Sequence, residues 1–277
     1  MELAEYTRGN DWYQVVSEAI LAVTDYFDFP SSMIAFGESL STSYLVHLDG
    51  VGFFRMRNKQ LTLISYYCDA ASLALACEDL KADGYVVKSL NYVNKPMDGL
   101  KVSSYGREYY VMSGWSIGDT VATLPSRESY RARRAMERGV QNYTICDDMA
   151  VDEVMDVFDA WIENAKTRHF MVVQGHYKRY IQRYYTFGDN VKLLGFRRND
   201  NGVLHGIVGY EVFRGQAQLT LAKHRIGDNH FSRYLWLIAM NSMLKDGATK
   251  CYCGTTADKL KQELGMQSEK SYKVMMP

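Results

Sequence analysis

Residue types that can move protons gather in the last third of the chain. Glu211 stands in the otherwise apolar run Val208–Phe213, and His224 and His230 flank a short polar segment. A carboxylate facing a cleft can act as a general base, and imidazoles titrate near neutral pH, so these residues are catalytic candidates. The alternatives are an outward-facing strand residue for Glu211 and ordinary exposed side chains for the two histidines.

The polar segment is a candidate for binding an activated donor. A helix is predicted to start directly after it, and helix starts favour anions because their N–H groups and dipole point outwards. The donor-binding candidates are Arg225, Gly227, Asp228, Asn229, His230, Arg233 and, beyond the next strand, Gly254. Tyr234 would lie beside the donor as a further catalytic candidate. Alternatively, Asp228 and Asn229 are helix N-caps and Tyr234 packs in the core.

Two basic stretches could contact phosphate or nucleic acid. Arg131, Arg134 and Arg138 recur at i, i+3 and i+7, which places them on one face of a helix. Lys178 and Arg179 lie among several tyrosines, a composition that can stack bases or sugars. The alternatives are a solvated linker helix for the arginines and simple packing for the tyrosines.

Composition limits the classes of protein to consider. The 277 residues are 47% hydrophobic and 23% charged, which indicates a globular chain with room for one or two domains. The 32 basic and 32 acidic residues give a formal net charge of zero. This balance disfavours a globally basic nucleic-acid binder and leaves room for local basic patches.

The cysteines and the N-terminus indicate a cytoplasmic protein. Five cysteines without a paired CxxC motif predict a reducing compartment, a packing role and no metal site. Cys251 and Cys253 would share one face of a strand, and two ligands do not make a zinc site. We also expect neither a signal peptide nor a membrane span, because the start lacks a basic region and apolar runs are short.

An internal repeat links the two halves of the chain. Val51–Leu63 and Val208–Leu221 share their apolar pattern and end on the same letters, QLTL, and each predicts a β-hairpin. Helices predicted at 71–82 and 232–245 follow them and end before Gly84 and Gly247, which stand 163 residues apart. Tyr109, Val111 and Met112 recur at that offset as Tyr272, Val274 and Met275.

The two copies differ in one loop. From Leu63 to Gly84 the sequence advances 21 residues, whereas from Leu221 to Gly247 it advances 26. The extra residues fall between a strand and the following helix, where αβ folds bind ligands. We therefore expect the functional site in the C-terminal half.

The remaining elements follow from periodicity and capping residues. Ser126 and Gly139 are predicted to cap the basic helix that links the halves. The other predicted elements are helices Trp12–Phe27, Asp152–Thr167, His176–Tyr185 and Ala257–Leu264, and strands Lys192–Arg198, Leu204–Phe213, Lys250–Cys253 and Ser271–Met275.

Three motifs carry a resemblance to a known family. The arginine-rich helix Tyr130–Val140, the helix end and strand Asp246–Gly254, and the lysine-bearing turn Leu260–Gly265 stand in the order found in tandem GNAT-like acyltransferases. The chain most resembles the Fem-type aminoacyl transferases and the C-terminal domain of phosphatidylglycerol lysyltransferases. The resemblance covers roughly residues 125–277 by these motifs and 30–115 through the repeat.

The resemblance implies a fold and a domain plan. We expect an α/β (α+β) protein with two GNAT-like units in tandem, each a mixed, mostly antiparallel sheet flanked by helices. Residues 1–125 would form a degenerate unit that is structural or holds the acceptor. Residues 126–277 would form the catalytic unit, entered through the basic helix 126–139.

The resemblance also implies a transferase. Such a fold moves an acyl group, here an aminoacyl group, directly from an activated donor to an amine or hydroxyl of a small molecule or polymer. Lys261 matches the family's lysine, where it would meet a phosphate or the oxyanion; the alternative is a solvated helix-surface lysine. No cofactor would be tightly bound, since aminoacyl-tRNA or acyl-coenzyme A would serve as co-substrate.

The donor segment departs from the pattern of coenzyme A users. Arg225–His230 has one glycine, and Asp228 stands where a pyrophosphate would sit and be repelled. This favours aminoacyl-tRNA. The alternatives are an acyl-coenzyme A N-acyltransferase, an enzyme that attaches an amino acid or acyl group to a nucleic acid (tRNA or DNA), and a non-catalytic GNAT-like binding module.

Overall fold

The chain divides into two compact units in the structure, a computed structural model that describes residues 3–6, 44–48, 50–66, 68–88, 92–93, 101–165, 181, 184–185, 191–226, 230–254 and 257–275. Unit 1 is Met1–Arg107 with Glu269–Pro277, and unit 2 is Glu108–Ser268. The units thus divide at Arg107/Glu108, whereas the sequence predicts repeats of 1–125 and 126–277. That those two ranges are separate GNAT-like units stays a prediction.

Unit 1 contains a sheet with a crossover helix. Its strands are adjacent in chain order: β1 (Leu3–Tyr6), β2 (Tyr44–Leu48), β3 (Gly52–Arg57), β4 (Gln60–Tyr66) and β5 (Val86–Lys88). Helix α1 (Ala70–Ala82) joins β4 to the parallel strand β5. Asn58 and Lys59 have φ angles of 47° and 58°, which the tight turn between β3 and β4 requires.

The second sheet has the strand order β6-β13-β7-β12-β11-β10-β9-β8. Its strands are β6 (Tyr92–Val93), β7 (Lys101–Met112), β8 (Tyr143–Cys146), β9 (Val191–Arg198), β10 (Leu204–Phe213), β11 (Gln216–His224), β12 (Lys250–Tyr252) and β13 (Gln267–Met275). The helices of unit 2 are α2 (Ile117–Thr123), α3 (Ser126–Asn142), α4 (Val151–Ala165), α5 (Phe231–Lys245) and α6 (Asp258–Glu263). This mixed sheet flanked by helices confirms the predicted fold class.

The internal repeat is visible in the strand pairing. In both copies a hairpin leads through a helix to a strand parallel to the second hairpin strand, β4 with β5 and β11 with β12. Each parallel pair spans three residues, although β4 and β11 continue further. Both hairpins also contain a register shift, next to Phe54 and Tyr210.

Helix α5 and helix α4 lie on opposite faces of strands β10 and β11 in the second sheet. Val208, Tyr210 and Leu219 point to the α5 face, where they join a core with α5 and α3. The intervening residue Gly209 faces Tyr184 on the other side, the side on which α4 packs. Burying each large apolar side chain of this core contributes roughly 1.5–3 kcal/mol to stability.

The prediction for the basic helix is wrong at both ends. Helix α3 continues through Gly139 to Asn142, and Pro125, not Ser126, is its N-cap residue. A Cβ on Gly139 would lie 2.1 Å from the Tyr234 ring, so this glycine allows α3 to approach α5 closely. Gly139 therefore does not end the helix.

Other predictions have mixed outcomes. Helix Trp12–Phe27 and most of His176–Tyr185 lie outside the described residues. Within the described part of the chain, no helix is long and apolar enough to cross a membrane. All five cysteines are free thiols, and Cys251 and Cys253 share the buried core, as packing residues do.

Candidate active site

Strands β11 and β12 separate at the centre of unit 2. They pair only from Gln216 to Gln218, and β11 then runs on to His224. The chain after β12 stays beside β7, with which β12 is also paired, because the Cys253 amide donates to the Tyr109 carbonyl over 2.7 Å. The register shift at Tyr210 lies where the two strands begin to part. Such an opening beyond the carboxyl ends of parallel strands is where αβ folds admit a ligand.

A buried lysine lies beside this opening. The Lys261 side chain is 0% exposed, and its Nζ donates to the Gly254 carbonyl. Nζ lies 5.2 Å from the ring centroids of both Tyr109 and Trp236. Burial lowers the pKa of the Lys261 ammonium. The solvated helix-surface alternative for Lys261 is therefore wrong, and a cation in this setting can stabilise negative charge.

The turn at Gly254 is fixed from both sides. Glu108 Oε1 accepts a hydrogen bond from the Gly254 amide, while Lys261 binds the carbonyl of the same residue. Gly254 has φ +77°, a conformation that favours glycine. The amide of Gly254 thus binds the Glu108 carboxylate and its carbonyl binds the Lys261 ammonium, so both charged groups lie at the end of β12.

An ion-pair cluster joins three helices next to this turn. Glu263 on α6 contacts Arg131 on α3 at 3.6 Å and forms a closer pair with Arg233 on α5. Two guanidinium groups share one carboxylate, so the cluster carries a net positive charge. The structure therefore brings together two arginines that the sequence assigned separately to phosphate contact and donor binding.

The other arginines of α3 lie elsewhere. Arg134 is exposed and pairs with Glu137 at 3.2 Å, and Arg138 is exposed as well. Their side chains form an outward basic face, while Arg131 is half-buried against Glu263. Of the three arginines predicted to share one face, Arg131 thus lies against the ion-pair cluster and the other two are exposed to solvent.

His224 and Ser232 form a hydrogen-bonded pair at the start of α5. His224 Nε2 lies 2.7 Å from Ser232 Oγ, and Nδ1 lies 2.7 Å from the Arg225 carbonyl oxygen. Arg225 itself is anchored to β10, since its Nε donates to the Leu204 carbonyl over 3.0 Å. Part of the Arg225 guanidinium therefore has a structural role.

The remaining catalytic candidates are placed as follows. Tyr234 is 2% exposed in the core, where burial raises the pKa of its phenol. Glu211 is fully buried on β10, and strand alternation puts it on the α4 face, opposite Tyr210. His230 is the N-cap residue of α5 and makes no side-chain capping hydrogen bond. The catalytic roles of these residues stay predictions.

Sequence reasoning missed several residues of the site. Glu108 and Trp236 belong to no motif, and Tyr109 was noted only as a residue of the repeat; Glu108 and Tyr109 stand about 150 positions before Lys261. Lys223 on β11 was also missed: its Nζ lies 3.6 Å from the Trp161 ring centroid, and burial lowers its pKa to about 8. A lysine in an apolar strand was the signal that could have drawn attention to it.

Some predicted residues cannot be placed. Gly227, Asp228, Asn229, Lys178 and Arg179 lie outside the described residues. Among the residues that are described, no group of three or more His, Cys, Asp or Glu side chains could hold a metal ion. Cys251 is buried, and its burial raises the pKa of the thiol to about 12, which keeps it protonated.

Comparisons with known proteins bear on the fold. No known protein family and no curated protein matches the sequence. FemX is similar in structure, with a TM-score of 0.69 and 10% identity over 100% of this chain and 98% of FemX.

Two further solved structures are similar. The C-terminal domain of a putative lysylphosphatidylglycerol synthetase from Agrobacterium fabrum gives a TM-score of 0.60 and 12% identity over 97% of this chain and 92% of that domain. A tandem GNAT protein from the clavulanic acid biosynthesis pathway gives 0.50 and 12% over 99% and 97%. The chain therefore has the GNAT-like fold of FemX and of the lysylphosphatidylglycerol synthetase domain, as its sequence predicts.

Proposed function

We propose that this protein is an acyltransferase that moves an aminoacyl group from aminoacyl-tRNA to an amine or hydroxyl acceptor. The observation that carries the proposal is the buried Lys261 ammonium beside the opening between β11 and β12. Acyl transfer develops negative charge on the donor's carbonyl oxygen, and a preorganised cation in a water-poor site stabilises that charge. Lys261 would supply this cation.

The opening and the arginine cluster would bind different parts of the donor. The acyl arm would enter where β11 leaves β12, with its carbonyl towards Lys261. Arg131 and Arg233 share Glu263 and keep a net positive charge, which suits a phosphate of the donor. The exposed arginines of α3 would contact phosphates further along a nucleic acid.

Two observations support an aminoacyl donor over acyl-coenzyme A. Asp228 stands in the segment before α5, where it would repel a pyrophosphate. The Agrobacterium relative is named for lysylphosphatidylglycerol, an aminoacylated product. The acceptor is an amine or a hydroxyl.

Thermal stabilisation by candidate donors tests the proposal. A ligand that binds only the folded state raises its stability, by about 2.7 kcal/mol at a hundredfold excess over Kd. We expect a salt-sensitive rise in melting temperature with aminoacyl-tRNA and none with coenzyme A or acetyl-coenzyme A. A rise in melting temperature with the coenzymes alone would mean that the donor is an acyl-coenzyme A. A rise with short DNA alone would favour a nucleic acid as acceptor.

A matched pair of variants assigns the binding to the site. Arg131→Gln removes one guanidinium from the cluster, whereas Arg127→Gln removes an exposed one near the start of the same helix. We expect the first variant to weaken binding of aminoacyl-tRNA about tenfold more than the second. Equal effects would mean that the tRNA binds the outer face of α3 and not the opening.

A further inference from the structure

A tyrosine ring stands in the middle of the exposed face of helix α3. Tyr130 is 63% exposed, and no ring contact or hydrogen bond engages it among the residues that the structure describes. At about 100° of rotation per residue, Tyr130 lies on the side of the helix that points directly away from the core. The buried side of α3 is formed by Ser129, Ala132, Ala135 and Gly139. The ring therefore does not serve the packing of α3 against the core.

Arginine side chains surround this ring. Arg133 and Arg134 follow Tyr130 at i+3 and i+4, where helical neighbours meet, and both are exposed. Helix α3 carries five arginines and two glutamates, a local net charge of +3 in a chain whose formal net charge is zero. Like charges at these spacings destabilise a helix, so the fold does not require them. An exposed aromatic ring among guanidinium groups is instead typical of surfaces that bind single-stranded nucleic acid.

The same arginines connect the ring to the arginine cluster of the candidate site. Around the helix axis, Arg134 and Arg138 lie between the ring and Arg131. Arg131 contacts Glu263 at 3.6 Å and so belongs to the cluster. A helix with its side chains is about 10–12 Å across, so the path over its surface from Arg131 to Tyr130 is roughly 10 Å. A short single strand can span that distance.

We propose that Tyr130 is a stacking platform for an unpaired base near the acylated 3′ end of the donor RNA. The inference rests on the proposed aminoacyl-tRNA donor and leaves its direct transfer unchanged. The acyl carbonyl stays at Lys261 and the adjoining phosphate at Arg131 and Arg233, and the strand then continues over Arg134 to Tyr130. The 3′ end of a tRNA is single-stranded, so its bases are free to stack on a protein ring, whereas the bases of a duplex are already paired.

Stacking and charge leave different signatures in binding. Contacts between arginine and phosphate release counterions, so the affinity that they supply falls as salt rises. Stacking accepts any base, because every base has a π face, and it does not depend on released ions. A tyrosine that stacks a base should therefore give a preference for single strands that persists at high salt.

The exposed face of α3 favours RNA over a lipid surface. A helix that lies on a membrane needs a broad apolar stripe opposite its charges. The large exposed apolar side chains of α3 are Tyr130 and Val140, which stand ten residues apart, and exposed arginines lie between them. Single apolar groups within a basic face suit a polyanion with exposed bases better than they suit a bilayer.

Short RNA strands test the inference without an acyl group. A fluorescent single strand is titrated with the protein, and its affinity is compared with that of the same strand in a blunt duplex. We expect the single strand to bind more tightly. Tyr130→Ala should weaken binding of the single strand about tenfold, while Tyr130→Phe, which keeps the ring, should bind like wild type. Equal affinity of the wild type for strand and duplex, or equal affinity of Tyr130→Ala and wild type for the strand, overturns the inference.

Two further variants of α3 separate stacking from charge and from general surface effects. Val140→Ala is the matched control, because Val140 is 65% exposed on the same helix, and it should leave RNA binding unchanged. Arg134→Gln should reduce the salt dependence by about one phosphate contact. Tyr130→Ala should instead lower the affinity by the same factor at every salt concentration. A reduced salt dependence in Tyr130→Ala would overturn the stacking role.

The outcomes distinguish this inference from the proposed function. If short single strands bind through Tyr130 and no aminoacyl group is transferred, the stacking surface stands and the acyltransferase is wrong. If aminoacyl-tRNA raises the melting temperature of Tyr130→Ala as much as that of wild type, the donor stands and the stacking role is wrong. If anionic phospholipid vesicles bind wild type but not Tyr130→Ala, while both bind RNA equally, α3 contacts a membrane and the inference is wrong.

Discussion

The starts of helices α1 and α5 occupy equivalent places in the two copies of the repeat and are built differently. At α1, the Asp69 carboxylate caps the helix and accepts a 2.8 Å hydrogen bond from the Ser72 amide. That hydrogen bond holds the pKa of Asp69 below its usual value. At α5, the N-cap residue is His230, and it makes no side-chain capping bond.

Under the proposed function, this difference would distinguish a copy that is structural from one that binds the donor. Both copies share the three-residue parallel pair and a register shift, so the sheets do not distinguish them. A carboxylate already occupies the anion-binding end of α1 and would repel another anion. The start of α5 instead presents His224, Ser232 and Arg233. The two copies thus share their strand pairing and differ in the side chains at the start of one helix.

The strongest prediction concerns the buried lysine of the second copy, Lys261. Lys261→Met removes the buried ammonium at the end of β12, and we expect turnover to fall about 100-fold, as when one oxyanion donor is lost. Lys259→Met is the control, because Lys259 lies on the same helix and is exposed. Rates are measured well below the melting temperature of each variant, since the Gly254 carbonyl loses a partner.

A turnover of Lys261→Met close to that of wild type would contradict a catalytic role for the ammonium. The ammonium would then only stabilise the Gly254 turn, and Lys261 would not distinguish the second copy as the catalytic one.

The next prediction concerns the packing of α5 against α3. Gly139→Ala would place a Cβ 2.1 Å from the Tyr234 ring, and overpacking of this kind costs about 1–3 kcal/mol of stability. Gly118→Ala on α2 is the matched control: its Cβ would meet nothing closer than 3.9 Å, and helix propensity predicts a gain of up to about 1 kcal/mol. Denaturant unfolding of both variants measures the difference. Similar stabilities would mean that α3 does not brace α5.

The weakest prediction concerns the N-cap residues of α1 and α5. His230→Asp gives α5 the cap residue of α1, and we expect about tenfold weaker donor binding, because an added carboxylate repels a phosphate. Asp69→Ala removes the cap of α1 and should lower the melting temperature by about 2–4 °C with donor binding unchanged. Titration and thermal unfolding of both variants give these values. Weaker binding by Asp69→Ala would show that the first copy takes part in binding.

Local patterns were enough to predict much of the fold. The strand predicted at Leu204–Phe213 has those bounds in the structure, because its composition and its flanking turns at Gly202 and Gly215 act over a few residues. The helix that ends before Gly247 was recognised for the same reason. The helix end predicted at Gly139 is wrong, because close helix packing and helix termination both favour glycine.

The candidate site was less predictable because its contacts are distant in sequence. Glu108 meets Gly254 across 146 positions, and no spacing rule connects them. Ser232 and His224 are only eight residues apart, and their contact depends on how the chain turns between β11 and α5. Composition identified His224 as a proton carrier, while its partner became visible only in three dimensions.

The strand pairing also governs when this protein can fold on the ribosome. In unit 1, β6 pairs with β13, which is synthesised about 180 residues later, and in unit 2, β12 pairs with β7, about 140 residues earlier. Contacts this far apart in sequence slow folding, and unit 1 is not a contiguous piece of chain, because it combines Met1–Arg107 with Glu269–Pro277. The nascent chain must therefore expose the edge of β6 until β13 has emerged.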